Sequence, residues 1–387
     1  MIPILRRIAA TALLLGALVL PNAAPAQADD APIATGAVFN NPKGTTAEQD
    51  AIKDHIIGAI NNTVSGRLIR TALYALTDQD YTDALVSAYN RGVNVRVVLD
   101  YDYSGRAAAQ NLISVLGTNT SSSSWVTLCG TALNDDVSCL GTGTNAINHN
   151  KFFTFSRVGA TAGVGEDVVI QTSANQTALN TAQYWNNAYT VVGNTPLYTA
   201  YADYFAKLAA KDRANAAYIT GTADTLKYYF FPQQSGDVVV GILDNVICTG
   251  NSTVGTSTHK TIVRVAAFNL YREAVADRLA ELASEGCSVQ IVYSNTNSAI
   301  ISTLSGSSNI KLRKLNDGTY LVHSKYLLVE GNYAGHTDTK WTFTGSHNLD
   351  DSSLRENDEA LLRIDGATAH DAYAANFDSL LGYSTAS

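Results

Sequence analysis

The sequence predicts an α/β protein with two similar lobes, each built on a mostly parallel central sheet. The chain has 387 residues, which is more than one simple domain usually holds. Strand-like and helix-like patterns alternate along it, and this alternation is typical of parallel sheets covered by helices. The pattern occurs twice, so we expect two such sheets packed against each other.

Residues 1–28 have the three parts of a secretory signal peptide. Arg6 and Arg7 form the charged start, an apolar run covers residues 8–20, and Ala26-Gln27-Ala28 is a small-x-small cleavage site. The apolar run is shorter than the ~20 residues that span a bilayer, so a membrane anchor is the less favoured interpretation. We therefore expect a secreted protein that is cleaved near Ala28.

The chain contains four cysteines: Cys129, Cys139, Cys248 and Cys287. An even number in an exported chain predicts two disulfides, and Cys129 with Cys139 is the favoured pair because it closes a short loop. A zinc site is the alternative, but no histidine or second cysteine stands at zinc-ligand spacing. We expect neither a metal nor another cofactor.

The first lobe is predicted to start with a helix over residues 47–60, which a Thr45-x-x-Glu48 capping box begins. A strand, a helix and a second strand follow over residues 66–99. Gly92 stands where a C-cap glycine ends that helix.

The second lobe repeats this order, with a helix over residues 238–246 and a strand–helix–strand unit over residues 260–293. In the match, Gly66–Tyr74 corresponds to Lys260–Phe268. The boundary between the lobes is expected within residues 216–227.

The first half is longer than the second because of a Ser/Thr/Gly-rich insertion within residues 104–148. A loop of this length inside a compact domain is usually functional or disordered. Two interpretations stay open: a lid or substrate-facing rim, and a disulfide-pinned surface loop without contact to substrate.

Each half then carries a His-x-Lys element, His149-Asn150-Lys151 in the first and His323-Ser324-Lys325 in the second. We expect each pair on one face of a buried strand, because side chains alternate across a strand. Ionisable groups are costly inside an α/β sheet, so their presence indicates a function.

A Ser-x-Asn element follows each pair, Ser173-Ala174-Asn175 and Ser346-His347-Asn348. The spacings agree, since 323−149 is 174 while 346−173 and 348−175 are both 173. One such element alone is typical of a turn. Its recurrence beside both histidines favours a shared site.

These duplicated elements resemble the phospholipase D superfamily, whose mark is a repeated H-x-K-x4-D motif followed by a G-S-x-N-like segment. The resemblance covers essentially the whole mature chain. It implies lobes over residues 29–220 and 221–387, related by a pseudo-twofold axis with the active site between them.

The resemblance also implies a mechanism in which one imidazole attacks phosphorus to give a phosphohistidine while the other protonates the leaving oxygen. We assign His149 as nucleophile and His323 as general acid and later base, with the reverse assignment left open. The remaining roles are phosphate binding by Lys151 and Lys325, further donors from Asn175 and Asn348, and support from Ser173 and Ser346.

Two positions depart from the family motif. Ser156 and Glu330 stand where the family has Asp. A regular strand places these positions on the face opposite the histidines, so we assign both a supporting role. Glu359 lies in a segment that resembles the family's N-x-E and is expected to accept a hydrogen bond from a catalytic histidine. The matching segment, residues 185–192, has no acid there, which suggests that the two histidines differ in basicity.

The net charge of the chain helps to distinguish a nucleic-acid substrate from a phospholipid. The net charge is −8, whereas proteins that follow a nucleic-acid backbone usually carry a basic excess. We therefore expect an exported phospholipase D acting on phospholipid at a membrane or micelle surface, by hydrolysis or by transfer to an alcohol. A non-specific endonuclease and an inactive anion-binding relative are the alternatives, and Ser156 alone favours the last. No stable protein partner is implied.

Overall fold

The computed structural model describes residues 33–133 and 136–387. The predicted signal peptide, residues 1–28, lies outside these ranges. Within them, no helix is both long and apolar enough to cross a bilayer.

The first lobe consists, in chain order, of β1 (Gly36–Phe39), α1 (Thr46–Asn61), β2 (Leu68–Leu73), α2 (Gln79–Asn90), β3 (Asn94–Asp100), α3 (Ala107–Leu116), β4 (Trp125–Cys129), β5 (Lys151–Arg157), β6 (Glu166–Thr172), α4 (Ala178–Gln183), β7 (Tyr184–Trp185), β8 (Asn187–Val191) and α5 (Thr195–Ala210). The second lobe consists of β9 (Ile219–Ala223), β10 (Leu226–Phe230), α6 (Val238–Asp244), β11 (Val246–Ile247), β12 (Ile262–Leu270), α7 (Glu273–Ser284), β13 (Ser288–Thr296), α8 (Ser298–Leu304), β14 (Ile310–Lys314), β15 (Leu321–Val322), β16 (Tyr326–Tyr333), β17 (His336–Gly345), α9 (Asp351–Arg355), β18 (Ala360–Asp365), α10 (Ala367–Tyr383) and β19 (Thr385–Ala386).

Each lobe has one large sheet. The strand order is β1-β8-β6-β5-β2-β3-β4 in the first and β19-β14-β13-β12-β16-β17-β18-β10-β9 in the second, with β11 beside β16. The neighbours β2-β3-β4 and β12-β13-β14 are parallel. The other pairs within these two sheets are antiparallel. A small third sheet pairs β7 with β15 and so joins the lobes.

The predicted class, two α/β lobes with a repeated strand–helix–strand unit, is confirmed. The sheets are mixed rather than mostly parallel, because β5 to β6 and β16 to β17 are connected as hairpins. A parallel connection needs a crossover of about a dozen residues or more, and the turn at Ala334 and Gly335 is far shorter.

One hydrophobic core joins the two lobes. It contains side chains from both sheets, such as Phe152 of β5 and Leu328 of β16, together with Tyr201 of α5 and Tyr373 of α10. Two further core clusters lie on the opposite faces of the sheets, one in each lobe. A close-packed shared core fixes the sheets relative to each other, so residues at their facing ends can form one site.

Two local predictions are confirmed. The side chain of Thr45 accepts from Glu48 N, and the Glu48 carboxylate accepts from Thr45 N at 2.8 Å, which is the expected capping box at the start of α1. Cys129 is bonded to Cys139, and the second disulfide is Cys248–Cys287.

We predict that Thr45→Ala lowers the free energy of unfolding by about 1 kcal/mol, because it removes one N-terminal cap. Urea denaturation measures the change. Thr46→Ala is the matched control, because Thr46 is exposed in the first turn of the same helix. Equal stabilities for the two variants would contradict a stabilising cap.

Candidate active site

Both histidines lie in extended segments just ahead of central strands, rather than inside those strands as predicted. β5 starts at Lys151, and His323 lies between β15 and β16. The backbone N–H of His149 donates to Asp358 O (2.9 Å), and that of His323 donates to Trp185 O (2.8 Å). Each acceptor belongs to the opposite lobe, so the ladder within each lobe begins only after its histidine.

The ring of His149 is hydrogen-bonded to a carboxylate of the second lobe. Its Nδ1 lies 2.7 Å from Glu359 Oε1. The other carboxylate oxygen accepts from the Ser346 hydroxyl, which itself accepts from Ala360 N at 3.1 Å. These bonds orient Glu359 to accept the Nδ1–H of His149, which leaves Nε2 as the reactive ring nitrogen.

The ring of His323 has the corresponding partner from the first lobe. Its Nδ1 lies 2.8 Å from Asn186 Oδ1, and the Ser173 hydroxyl donates to the same oxygen at 3.0 Å. Ser173 Oγ accepts from Asn187 N at 3.0 Å. The amide nitrogen of Asn186 donates to Tyr184 O at 3.1 Å, so the amide oxygen is directed at the histidine.

The two histidines therefore differ in one partner, which is a carboxylate for His149 and a neutral amide for His323. Burial lowers the pKa of both rings, and the charges of the nearby lysines lower it further. Burial raises the pKa of Glu359, and Lys151 opposes this rise. A carboxylate stabilises an imidazolium more than an amide does, so His149 is better supported in a positively charged form.

The two lysines are buried close to the histidines. Lys151 Nζ donates to His149 O at 2.7 Å, and Lys325 Nζ donates to His323 O at 2.6 Å. Burial lowers the pKa of Lys151 to about 7 and lowers that of Lys325 as well. An anion bound nearby would favour the charged form of both, because opposite charges attract strongly where water is excluded.

Two aromatic rings complete the pseudo-symmetric pairs. The Tyr74 ring centroid lies 5.3 Å from that of His149, and the Phe268 centroid lies 4.7 Å from that of His323. Each ring also lies 5.2 Å from the Nζ atom of the lysine on its side. No motif in the sequence marks these rings as part of the site, although both end the matched segments of the two lobes.

The two histidines line a single cleft with a volume of ≈ 510 Å³. Asn175 and Asn348 line it too, and the carboxamide oxygen of each is buried without a protein partner in the described ranges. The structure therefore brings together nine of the predicted residues: His149, Lys151, Ser173, Asn175, His323, Lys325, Ser346, Asn348 and Glu359. The wall of the cleft also presents the aromatic rings of Tyr74, Tyr103, Tyr184 and Phe268.

Ser156 and Glu330 lie outside this group. Ser156 Oγ accepts from Leu68 N at 3.0 Å, beside the start of β2. Glu330 forms an ion pair with Arg264 at 3.2 Å. Their predicted support for the histidines is therefore corrected: these side chains hold together neighbouring strands of their own sheets.

Two lobes with paired histidines in one cleft form the arrangement that the sequence resemblance implied. Residues 56–209 and 256–381 match the family described as "Cardiolipin synthase, PLD-like domain". These segments make up more than half of the chain, and the chain belongs to the phospholipase D superfamily.

Solved structures have the same fold. Phosphatidylserine synthase from Haemophilus influenzae Rd KW20 has a TM-score of 0.59 at 14% identity, over 92% of this chain and 89% of that chain. Polyphosphate kinase from Porphyromonas gingivalis has a TM-score of 0.60 at 12% identity, over 90% of this chain and 50% of that chain. This chain thus spans about half the length of the kinase. No curated protein sequence matches it.

We predict that Asn186→Asp raises the pKa of His323, because a carboxylate favours the imidazolium. If His323 must be protonated to act as general acid, activity then persists to higher pH. The basic limb of the pH profile of kcat/KM should move up by about 1 pH unit.

Glu359→Gln is the matched change on the other histidine. Removing the carboxylate lowers the pKa of His149, so the acidic limb should move to lower pH while kcat falls. A shift of the same limb in both variants would contradict the assignment of one histidine to each limb.

We predict that Ser156→Asp changes kcat by less than about threefold, since the half-buried Ser156 contacts Leu68 of the neighbouring strand rather than the reacting groups. Ser156→Ala is the control for loss of the bond to Leu68. An inert parent beside an active Ser156→Asp variant would instead show that Ser156 marks lost activity.

Proposed function

We propose that the protein is an exported phosphodiesterase of phospholipase D type that cleaves the terminal phosphodiester of phospholipids. Membership in the superfamily supports the phosphodiester chemistry. The observation that carries the proposal is the pair of histidines in one cleft, each oriented through Nδ1 by a side chain of the opposite lobe.

In the first step, Nε2 of His149 attacks phosphorus, and the bond from phosphorus to the leaving alcohol oxygen breaks. His323 gives its Nε2 proton to that oxygen, so the head group leaves as a neutral alcohol. The phosphorylated ring of His149 carries a positive charge beside Glu359. The lysine ammonium groups and the two carboxamides oppose the charge that builds on the non-bridging oxygens.

In the second step, the now neutral His323 removes a proton from water while the water oxygen attacks phosphorus. The phosphorus–nitrogen bond breaks, phosphatidic acid is released, and both rings return to their initial states. An alcohol in place of water would give a new phosphodiester by the same proton transfers.

The different partners of the histidines support the assignment of roles. The nucleophile becomes a charged phosphohistidine, which the Glu359 carboxylate stabilises. The general acid must release its Nε2 proton readily. The neutral Asn186 amide stabilises the imidazolium of His323 less than a carboxylate would, so this release is easier.

The cleft favours a lipid over a nucleic acid. Apart from the buried Lys151 and Lys325 beside the histidines, Arg106 is the one lysine or arginine among the described residues that line the cleft, and it lies 5.9 Å from the ring of Tyr103. Recognition of a polynucleotide backbone usually needs several such cations. The aromatic wall suits a head group or the polar–apolar boundary of a lipid layer. The two disulfides support export, because disulfides persist in oxidising compartments.

We predict that His149→Ala and His323→Ala each lower kcat on phosphatidylcholine vesicles by at least about 10³-fold, because the two groups act as a unit. His336→Ala is the control, since His336 is exposed at the start of β17. Plasmid DNA tested in parallel distinguishes the alternatives. Cleavage of DNA alone would show a nuclease, and no turnover on either substrate would favour the anion-binding relative.

A p-nitrophenyl phosphodiester separates the roles of the two histidines. Its leaving group needs little protonation, so His323→Ala should still form the phosphohistidine while His149→Ala should not. Release of p-nitrophenol in a single turnover measures this step. The opposite result would assign His323 as the nucleophile.

A further inference from the structure

A loop of the first lobe is bound to Asp358 of the second lobe. Asp358 is fully buried, and its carboxylate accepts from Ser138 Oγ at 2.6 Å, Cys139 N at 2.9 Å, Leu140 N at 3.1 Å and Gly141 N at 2.7 Å. Hydrogen bonds to an ionised acceptor are about twice as strong as neutral ones. Four of them on one buried carboxylate hold this loop, residues 138–141, against the second lobe.

The loop is itself constrained. Cys139 is bonded to Cys129, the last residue of β4, so one end of the loop is tied to the first sheet. A side chain at Gly141 would collide with the carbonyl oxygen of Glu356. The loop therefore lies directly on the backbone that leads into Asp358.

The backbone of Asp358 connects this loop to the active site. Its N–H donates to Ile147 O at 3.0 Å, and its carbonyl accepts from His149 N at 2.9 Å. The next residue is Glu359, whose carboxylate orients the His149 ring. A displacement of Asp358 would therefore move both the backbone partner and the ring partner of His149.

The segment beside the other histidine is held differently: Asn40, a residue of the same lobe, accepts from Asn186 N at 2.7 Å and donates to Tyr184 O at 2.9 Å. Trp185 occupies the equivalent place beside His323, with its carbonyl accepting from His323 N. The insertion that supplies the loop is confined to the first half. The loop thus acts on the histidine assigned as nucleophile.

We propose that Asp358 is a positioning residue for His149, and that the loop at residues 138–141, tied to β4 by its disulfide, holds Asp358 in place. The inference rests on the proposed function. It gives the insertion a role at the interface of the lobes, where it orients one catalytic ring without contacting substrate.

Asp358→Asn is the first test. An amide cannot accept from all four donors, so Glu359 should shift and kcat should fall about 10- to 100-fold while KM changes little. Nitrogen NMR of the imidazole rings gives a readout without substrate. The parent should show His149 protonated on Nδ1, and the variant should show a mixture of tautomers, with His323 unchanged.

Two changes to the loop keep Asp358 itself intact. Gly141→Ala should push the loop off the second lobe, and the Cys129→Ser/Cys139→Ser pair should release its end. Both should lower kcat in the same direction as Asp358→Asn. The matched control is Cys248→Ser/Cys287→Ser, which removes the other disulfide. That disulfide joins the end of β11 to the turn between α7 and β13, and its loss should keep kcat near that of the parent.

Combination of the changes tests whether they act together. If the loop works through Asp358, adding Cys129→Ser/Cys139→Ser to Asp358→Asn should lower kcat by less than the product of the separate effects. Fully multiplicative losses would overturn the proposal. So would an unchanged His149 tautomer in a folded Asp358→Asn protein that keeps the parental kcat.

Failure of the proposed function is distinguishable from failure of this inference. An inert parent whose His149 tautomer still depends on Asp358 would reject the proposed activity and support the positioning role. An active parent whose His149 tautomer and kcat do not change in either the loop variants or Asp358→Asn would support the proposed activity and reject the positioning role.

Discussion

The hydrogen bond from each histidine ring to a side chain of the opposite lobe is the interaction on which the site depends. His149 is oriented by Glu359, and His323 by Asn186. Neither lobe contains a histidine together with its ring partner, since each lobe supplies one histidine and the side chain that orients the histidine of the other lobe. The shared core between the sheets matters for the same reason. Hydrogen-bond lengths near 2.8 Å tolerate little sliding of one lobe against the other.

The two lobes repeat the same arrangement of site residues, and small differences between them make the two histidines unequal. Serines 173 and 346 occupy equivalent places, as do the rings of Tyr74 and Phe268. A carboxylate in one copy and an amide in the other give the two rings different electrostatic support. In the proposed mechanism, attack and protonation occur on opposite sides of one phosphorus, and the unequal partners separate the two roles.

The site concentrates ionisable groups where burial opposes their charge. The pKa of both lysines is lowered and that of Glu359 is raised by burial. Burial also raises the pKa of Asp358 to about 6, despite the hydrogen bonds from its loop. Removing charges from water costs several kcal/mol per ion, and a buried pair is therefore weak evidence for stability. An anion bound in the cleft would favour the charged form of both lysines, which is the physical reason to associate this cluster with the proposed phosphodiester substrate.

The sequence by itself determined the class of fold, the duplication, the capping box and the composition of the site, because each rests on local pattern or on spacing that recurs. It also indicated Glu359 and the missing acid in the first half. Only the tertiary structure decided that Asn186 takes the place of that acid, that Ser156 and Glu330 serve their own sheets, and that much of each sheet is antiparallel. The contact of residues 138–141 with Asp358 could not be predicted from the sequence either. These outcomes depend on which atoms of distant segments meet across the lobes, and a contact between residues some 220 positions apart leaves no periodicity in either segment.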